Sequence, residues 1–202
     1  MDLGDSWPLP DLTELREELL RAYDHPARGY HDTRHLAEVL ARIDELGASG
    51  IGFERLPVLL AAWFHDGVYD GERDAEERSA VWAEQALAGL LTAQAVAEVA
   101  RLVRLTETHH PEPGDANGSV LSDADLAILA APEDRYDEYV AAVRGEFAHL
   151  DDEAFREGRT RVLHSLTARP HLFATDYARE RWEAAARSNI ERELAGLTPT
   201  RH

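Results

Sequence analysis

The chain has 202 residues, a length that suits one domain with a substantial core. It contains neither cysteine nor lysine, so all 21 basic residues are arginine; disulfide scaffolds, cysteine nucleophiles, thiolate zinc sites, Schiff-base chemistry and the lysine of a phosphate-binding P-loop are excluded. With 39 acidic residues the formal net charge is -18, which repels duplex nucleic acid and anionic membrane surfaces and favours a small ligand; without a long apolar span or a basic leader, a cytoplasmic protein off the membrane is expected.

Helical spacing runs from end to end without strand-like alternation, and the expected fold is all-α, a single-domain helical bundle over 1–202. Asp11 and Glu14 form a capping-box pattern ahead of Leu12, Leu15 and Leu19 in a first helix. A second helix begins near Asp32, turns Leu36, Val39, Leu40 and Ile43 inward, and stops at Gly47, with His35 in its first turn. Pro57 suits the first turn of a third helix, whose run Val58 to Phe64 is apolar on all sides and delivers His65 and Asp66 at its far end. Asp74 with Glu77 predicts the cap of a helix through Val81, Ala83 and Leu87, and another runs from about Thr92 through Val96, Val99 and Val103 to His109. Pro111 to Gly118 is the densest cluster of turn formers and predicts a surface loop. Ser122 or Asp123 then caps a helix holding Asp125, Leu126, Ile128 and Leu129, and three more helices fill 133–195, packed on a core of about 25–130.

His65 and Asp66 stand directly behind an apolar run, and such groups near a core need a partner. An isolated His-Asp doublet is a weak signal, and His31-Asp32 is a second one, but that pair has only His25 upstream. His65-Asp66 has His35 on the preceding helix and Asp125 on a later one. The four can enclose one divalent metal; the alternative is that the doublet merely caps its helix. Two imidazoles and two carboxylates suit Mn²⁺, Fe²⁺, Co²⁺, Ni²⁺ or Zn²⁺, with positions open to water. His31-Asp32-Thr33-Arg34-His35 also mimics a zinc-peptidase helix, but Asp32 stands where that motif needs Glu.

His35, the doublet His65-Asp66, and Asp125 within Asp123-Ala124-Asp125-Leu126 resemble, in that order, the H…HD…D signature of the HD-domain superfamily of metal-dependent phosphohydrolases. With Tyr30-His31, Arg34-His35, Trp63 to Asp70, Ser122 to Leu129 and Ala186 to Ile190, the likeness to a bacterial group of predicted HD phosphohydrolases covers most of the chain. The resemblance implies a helical HD-type domain, with the four residues as ligands. It also implies cleavage of a phosphoester of a small phosphorylated metabolite, such as a nucleotide, by hydroxide formed at the metal.

An acidic residue soon after the doublet often orients the water in that superfamily. Asp70, one turn beyond Asp66 if the helix continues, is the first candidate and Glu72 the alternate. In some branches later histidines hold a second metal or contact the phosphate, a role open to His109 and His110; with no histidine between His65 and His109, one metal is expected and His31 is the upstream supplement. Arg28 and Arg34 are the first candidates for phosphate, ahead of Arg73 and Arg104, and Asp123 joins the residues around the ligands. Two other readings stand beside hydrolysis: a non-catalytic protein that binds a nucleotide or metal for regulation, and a di-iron oxygenase, which the missing histidine disfavours. Trp182 with Ala185, Ala186 and Asn189 reads as core or as the contact of a homodimer.

Overall fold

The computed structural model describes residues 3–71 and 74–198, and among these the secondary structure is entirely helical. The chain divides after Asp125 into two compact units. The first holds α1 (Thr13–Tyr23), α2 (Thr33–Ala48), α3 (Arg55–Phe64), α4 (Ala75–Leu87), α5 (Ala93–Leu105) and α6 (Ala116–Leu126), whose last residue begins the second unit. The second continues with a 3-10 turn (Ala127–Ala130), α7 (Glu133–Glu146), α8 (Asp152–Thr167), α9 (Asp176–Arg181) and α10 (Glu183–Leu197). No helix among the described residues is long and apolar enough to cross a membrane.

The axis of the first unit is α3, buried at every position from Pro57 to Phe64, and it packs against α2, α4 and α5. Each fully buried Leu, Val or Phe on it contributes about 1.5–3 kcal/mol, so this helix is fixed by its surroundings and not by its ends. The second unit gathers around α10, which lies against the 3-10 turn, α8 and α9. There Asn189 donates from Nδ2 to the carbonyls of Leu129 and Ala131, both at 2.9 Å, and the buried pair Arg159–Glu193 (2.7 Å) also accepts the Tyr136 hydroxyl at 2.6 Å.

Caps separate the expected boundaries from the observed ones. Asp32 caps α2 by accepting from the amides of Arg34 and His35, and Thr92 caps α5 by accepting from Ala95. The expected capping boxes at α1 and α4 do not form: α1 starts from Leu12 without a side-chain cap, and Asp74 adopts a left-handed conformation (φ 63°) that gives its carboxylate no cap bond. The helix expected to reach His109 ends at Leu105, where the Thr106 hydroxyl donates to Val103 O and the chain turns. The loop expected to extend through Gly118 is shorter, because Asp115 opens α6, its carboxylate accepting from Gly118 N at 2.9 Å and its carbonyl from Ser119 N. Ser122 and Asp123 therefore lie buried inside α6 rather than at its start. Four helices, not three, follow residue 133, since a break at Trp182 divides α9 from α10.

Candidate metal centre

His35 reaches the site because Asp32 fixes the first turn of α2: its carboxylate holds the amides of Arg34 (2.9 Å) and His35 (3.0 Å), which sets the direction of the imidazole. His65 is the C-cap of α3, its amide still bonded to Ala61 O at 2.8 Å. The chain then leaves the helix through Gly67, whose amide donates to Phe64 O at 2.8 Å. A Cβ on Gly67 would stand 2.9 Å from the Trp82 ring and 3.0 Å from Phe64 O, so only glycine lets the turn after the doublet pass this close beneath α4. Asp125 comes from the last turn of α6.

Four side-chain atoms converge. His35 Nε2 lies 3.2 Å from His65 Nε2, 3.4 Å from Asp66 Oδ2 and 3.1 Å from Asp125 Oδ1; His65 Nε2 lies 3.0 Å from Asp66 Oδ2 and 3.6 Å from Asp125 Oδ1. Ligand atoms at about 2.1 Å from an ion stand about 3.0 Å apart at a right angle and about 3.4 Å apart at a tetrahedral angle, and the observed separations match these edges. His35, His65 and Asp66 form a buried group able to hold a metal ion. Asp66 Oδ2 fits such an ion in a further respect: it is buried against the two imidazole Nε2 atoms, and where these present lone pairs it has no hydrogen-bond donor, a costly state for a carboxylate oxygen that a cation would relieve.

The layer around these atoms is specific. His65 Nδ1 donates to Ala62 O at 2.8 Å, which leaves Nε2 as the lone-pair nitrogen facing the site. The Tyr23 hydroxyl, at the end of α1, lies 3.4 Å from His65 Nδ1 and accepts from the Asp66 amide at 3.3 Å. Arg28 donates to the carbonyls of His31 (2.8 Å), Asp66 (2.7 Å) and Gly67 (3.1 Å), with its guanidinium 5.0 Å from the Tyr23 ring centre and 5.7 Å from that of Tyr69. This one side chain ties the loop before α2 to the loop after α3.

Burial by itself would lower the basicity of His35, but hydrogen bonds and charge from Asp125 and Asp66 outweigh it and raise the pKa to about 9. For His65, too, the pull of burial is overcome, chiefly by Asp66, and the two imidazoles together hold a proton well above the usual range. Burial opposes ionisation of Asp66 and Asp125, yet the neighbouring histidines, His65 foremost, hold both carboxyls well below the usual range. Burial pushes the Tyr23 phenol up, so it stays neutral. The cluster is thus a dense negative site that draws in either protons or a cation.

Other residues singled out from the sequence fall into distinct places. His31 stacks on Tyr69, ring centres 4.1 Å apart, and lies edge-on to His35 at 5.7 Å. His109 points Nε2 at the second oxygen of Asp125, at 2.8 Å, while His110 is exposed with Nδ1 on Thr108 O. Asp123 is fully buried in α6. Arg34 is exposed and pairs with Glu38. The helix does not continue past the doublet, so Asp70 is not one turn along from Asp66; it is exposed, with both carboxylate oxygens on Arg78 at 2.6 and 2.7 Å. Arg104 is engaged by Glu77 and Glu84, and Glu72 and Arg73 lie outside the described residues. Tyr23 and Tyr69 were not anticipated: Tyr23 follows Leu19 at a helical step of four and reads as core, and nothing in the spacing links it to the doublet. Comparison of the chain with protein-family models, with curated proteins and with solved structures gives no match.

Proposed function

We propose that this chain is a metal-dependent phosphoric ester hydrolase acting on a small phosphorylated metabolite, a nucleotide being the leading class. The observation that carries the reading is the convergence of His35 Nε2, His65 Nε2, Asp66 Oδ2 and Asp125 Oδ1. These four would hold one divalent ion of the Mn, Fe, Co, Ni or Zn group. When bound, such an ion lowers the pKa of a water and offsets charge developing on phosphoryl oxygens.

The chain's own groups would do the remaining work. Ala62 O and Tyr23 orient His65, Arg28 holds the backbone of the doublet, and the packed wall of α3 keeps solvent from the ligands. His31, stacked on Tyr69 and edge-on to His35, is the imidazole best placed to meet a phosphate or pass a proton to a leaving oxygen. Asp70, bound in both oxygens by Arg78, is poorly suited to take a proton from water. That same engagement supports a second reading, a binding protein that senses a metal or nucleotide without turnover.

The test is elemental analysis of protein purified without chelator, beside Asp66→Ala, followed by a phosphate-release screen over nucleotides and sugar phosphates. Stoichiometric metal and phosphate release in the parent, both lost in Asp66→Ala, are expected. No metal after reconstitution would sink the hydrolase and the metal sensor together; metal without release would select the second reading.

A further inference from the structure

We propose that His109 is a positioning residue for the metal site, holding the Asp125 carboxylate so that one oxygen faces the histidines. The assignment rests on the metal-site reading above and goes beyond it by giving a role to a residue outside the ligand set. Asp125 divides its oxygens: Oδ1 lies 3.1 Å from His35 Nε2, and Oδ2 accepts from His109 Nε2 at 2.8 Å. The terminal torsion of an aspartate is soft, so a carboxylate held at one oxygen is far better oriented than one held at none. Donation requires the proton on Nε2 of His109, which is a statement about its tautomer and not about its charge.

The backbone supports this. His109 has φ 51°, a left-handed conformation that non-glycine residues adopt rarely and that glycine would take without strain. It arises where α5 ends: Leu105 O accepts from the amides of both Thr108 and His109, and Pro111 bars any continuation of helix. The neighbouring His110 turns outward to Thr108 O, so of the two only His109 is aimed at the site. The left-handed position that ends α5 thus also aims His109 Nε2 at the second oxygen of Asp125.

Three proteins separate this role from a plain structural contact. His109→Gly removes the donor while suiting the left-handed backbone; His109→Gln places an amide donor near the position of Nε2; the parent is the reference. Each apoprotein is titrated with Co²⁺ and followed by its visible spectrum, and its metal-free urea midpoint is measured separately. Expected is a 10- to 100-fold loss of Co²⁺ affinity with an altered visible band in His109→Gly, recovery of most of the affinity in His109→Gln, and no matching order in the midpoints. Parent-like affinity in His109→Gly overturns the assignment and leaves the metal site standing. Affinity losses that simply follow the midpoints overturn it as well. A parent that binds no Co²⁺ overturns the metal site and this assignment with it.

Discussion

Arg28 shows how much a single side chain outside the proposed ligand set can decide. It satisfies three carbonyls, those of His31, Asp66 and Gly67, and Arg28→Met would keep the apolar stem while leaving all three without that donor. The expected loss is about 3 kcal/mol, read as a lower urea midpoint of the metal-free protein. The proposed ligands themselves impose a pH dependence. The pKa of His35 rises from 6.5 to about 9 on folding, so its stabilising contribution is complete below pH 6.5 and is lost as pH rises through 9. Asp66 and Asp125, shifted downward, contribute above the usual carboxylate range and lose that contribution in acid. A metal must displace the histidine proton, so its affinity climbs over the window in which the apoprotein weakens. Urea midpoints at pH 6.5 and pH 9 should therefore fall without metal, while the gap between metal-loaded and metal-free protein widens; a gap that narrows would contradict the ligand assignment. The four residues were readable in the sequence because a site able to hold a metal restricts residue type and order. Arg28 and Tyr23 were not readable in these roles, because an arginine bonded to carbonyls and a tyrosine on an apolar face carry no mark of what they touch.

At the level of elements, the turn after α3 is the most constrained. Gly67→Ala would set a methyl against the Trp82 ring and Phe64 O, both within about 3 Å of its position, and would push the doublet or α4 aside. A destabilisation of about 1–3 kcal/mol is expected, measurable by urea unfolding, together with weaker metal binding. This glycine also explains why Asp70 is not where helical spacing would put it: the chain closes a tight turn on Phe64 O instead of adding another helical step. The apolar run of α3 was unambiguous, since burial on all sides leaves no other reading. Helix ends were harder. Asp74 has the right residue type for a cap but the wrong backbone, and Ser122 and Asp123 look like a helix start although Asp115, inside an apparent loop, opens α6. Cap residues are also the residues of turns and of buried polar contacts, and sequence alone does not separate the three uses.

Over the whole molecule, the two units differ sharply in charge: 25 acidic and 10 basic residues lie in positions 1–125, against 14 and 11 in the remainder. The unit with the proposed metal site therefore carries most of the net negative charge, which attracts divalent cations and penalises highly charged anions. All four proposed ligands belong to it, so metal at 100 times its dissociation constant should add about 2.7 kcal/mol to the global opening of that unit. Amide exchange with and without Mn²⁺ should slow in α2, α3 and the end of α6, and equal slowing in α8 and α10 would argue against a site confined to the first unit. Tryptophan placement makes the same region optically accessible. Trp63 is fully buried two residues before His65, with Trp7 edge-on to it at 5.0 Å, and Trp82 covers the turn after Asp66. Trp82 lies against the turn that follows the doublet, so a paramagnetic ion arriving there would quench part of the intrinsic emission, and occupancy can be followed in solution without any attached label.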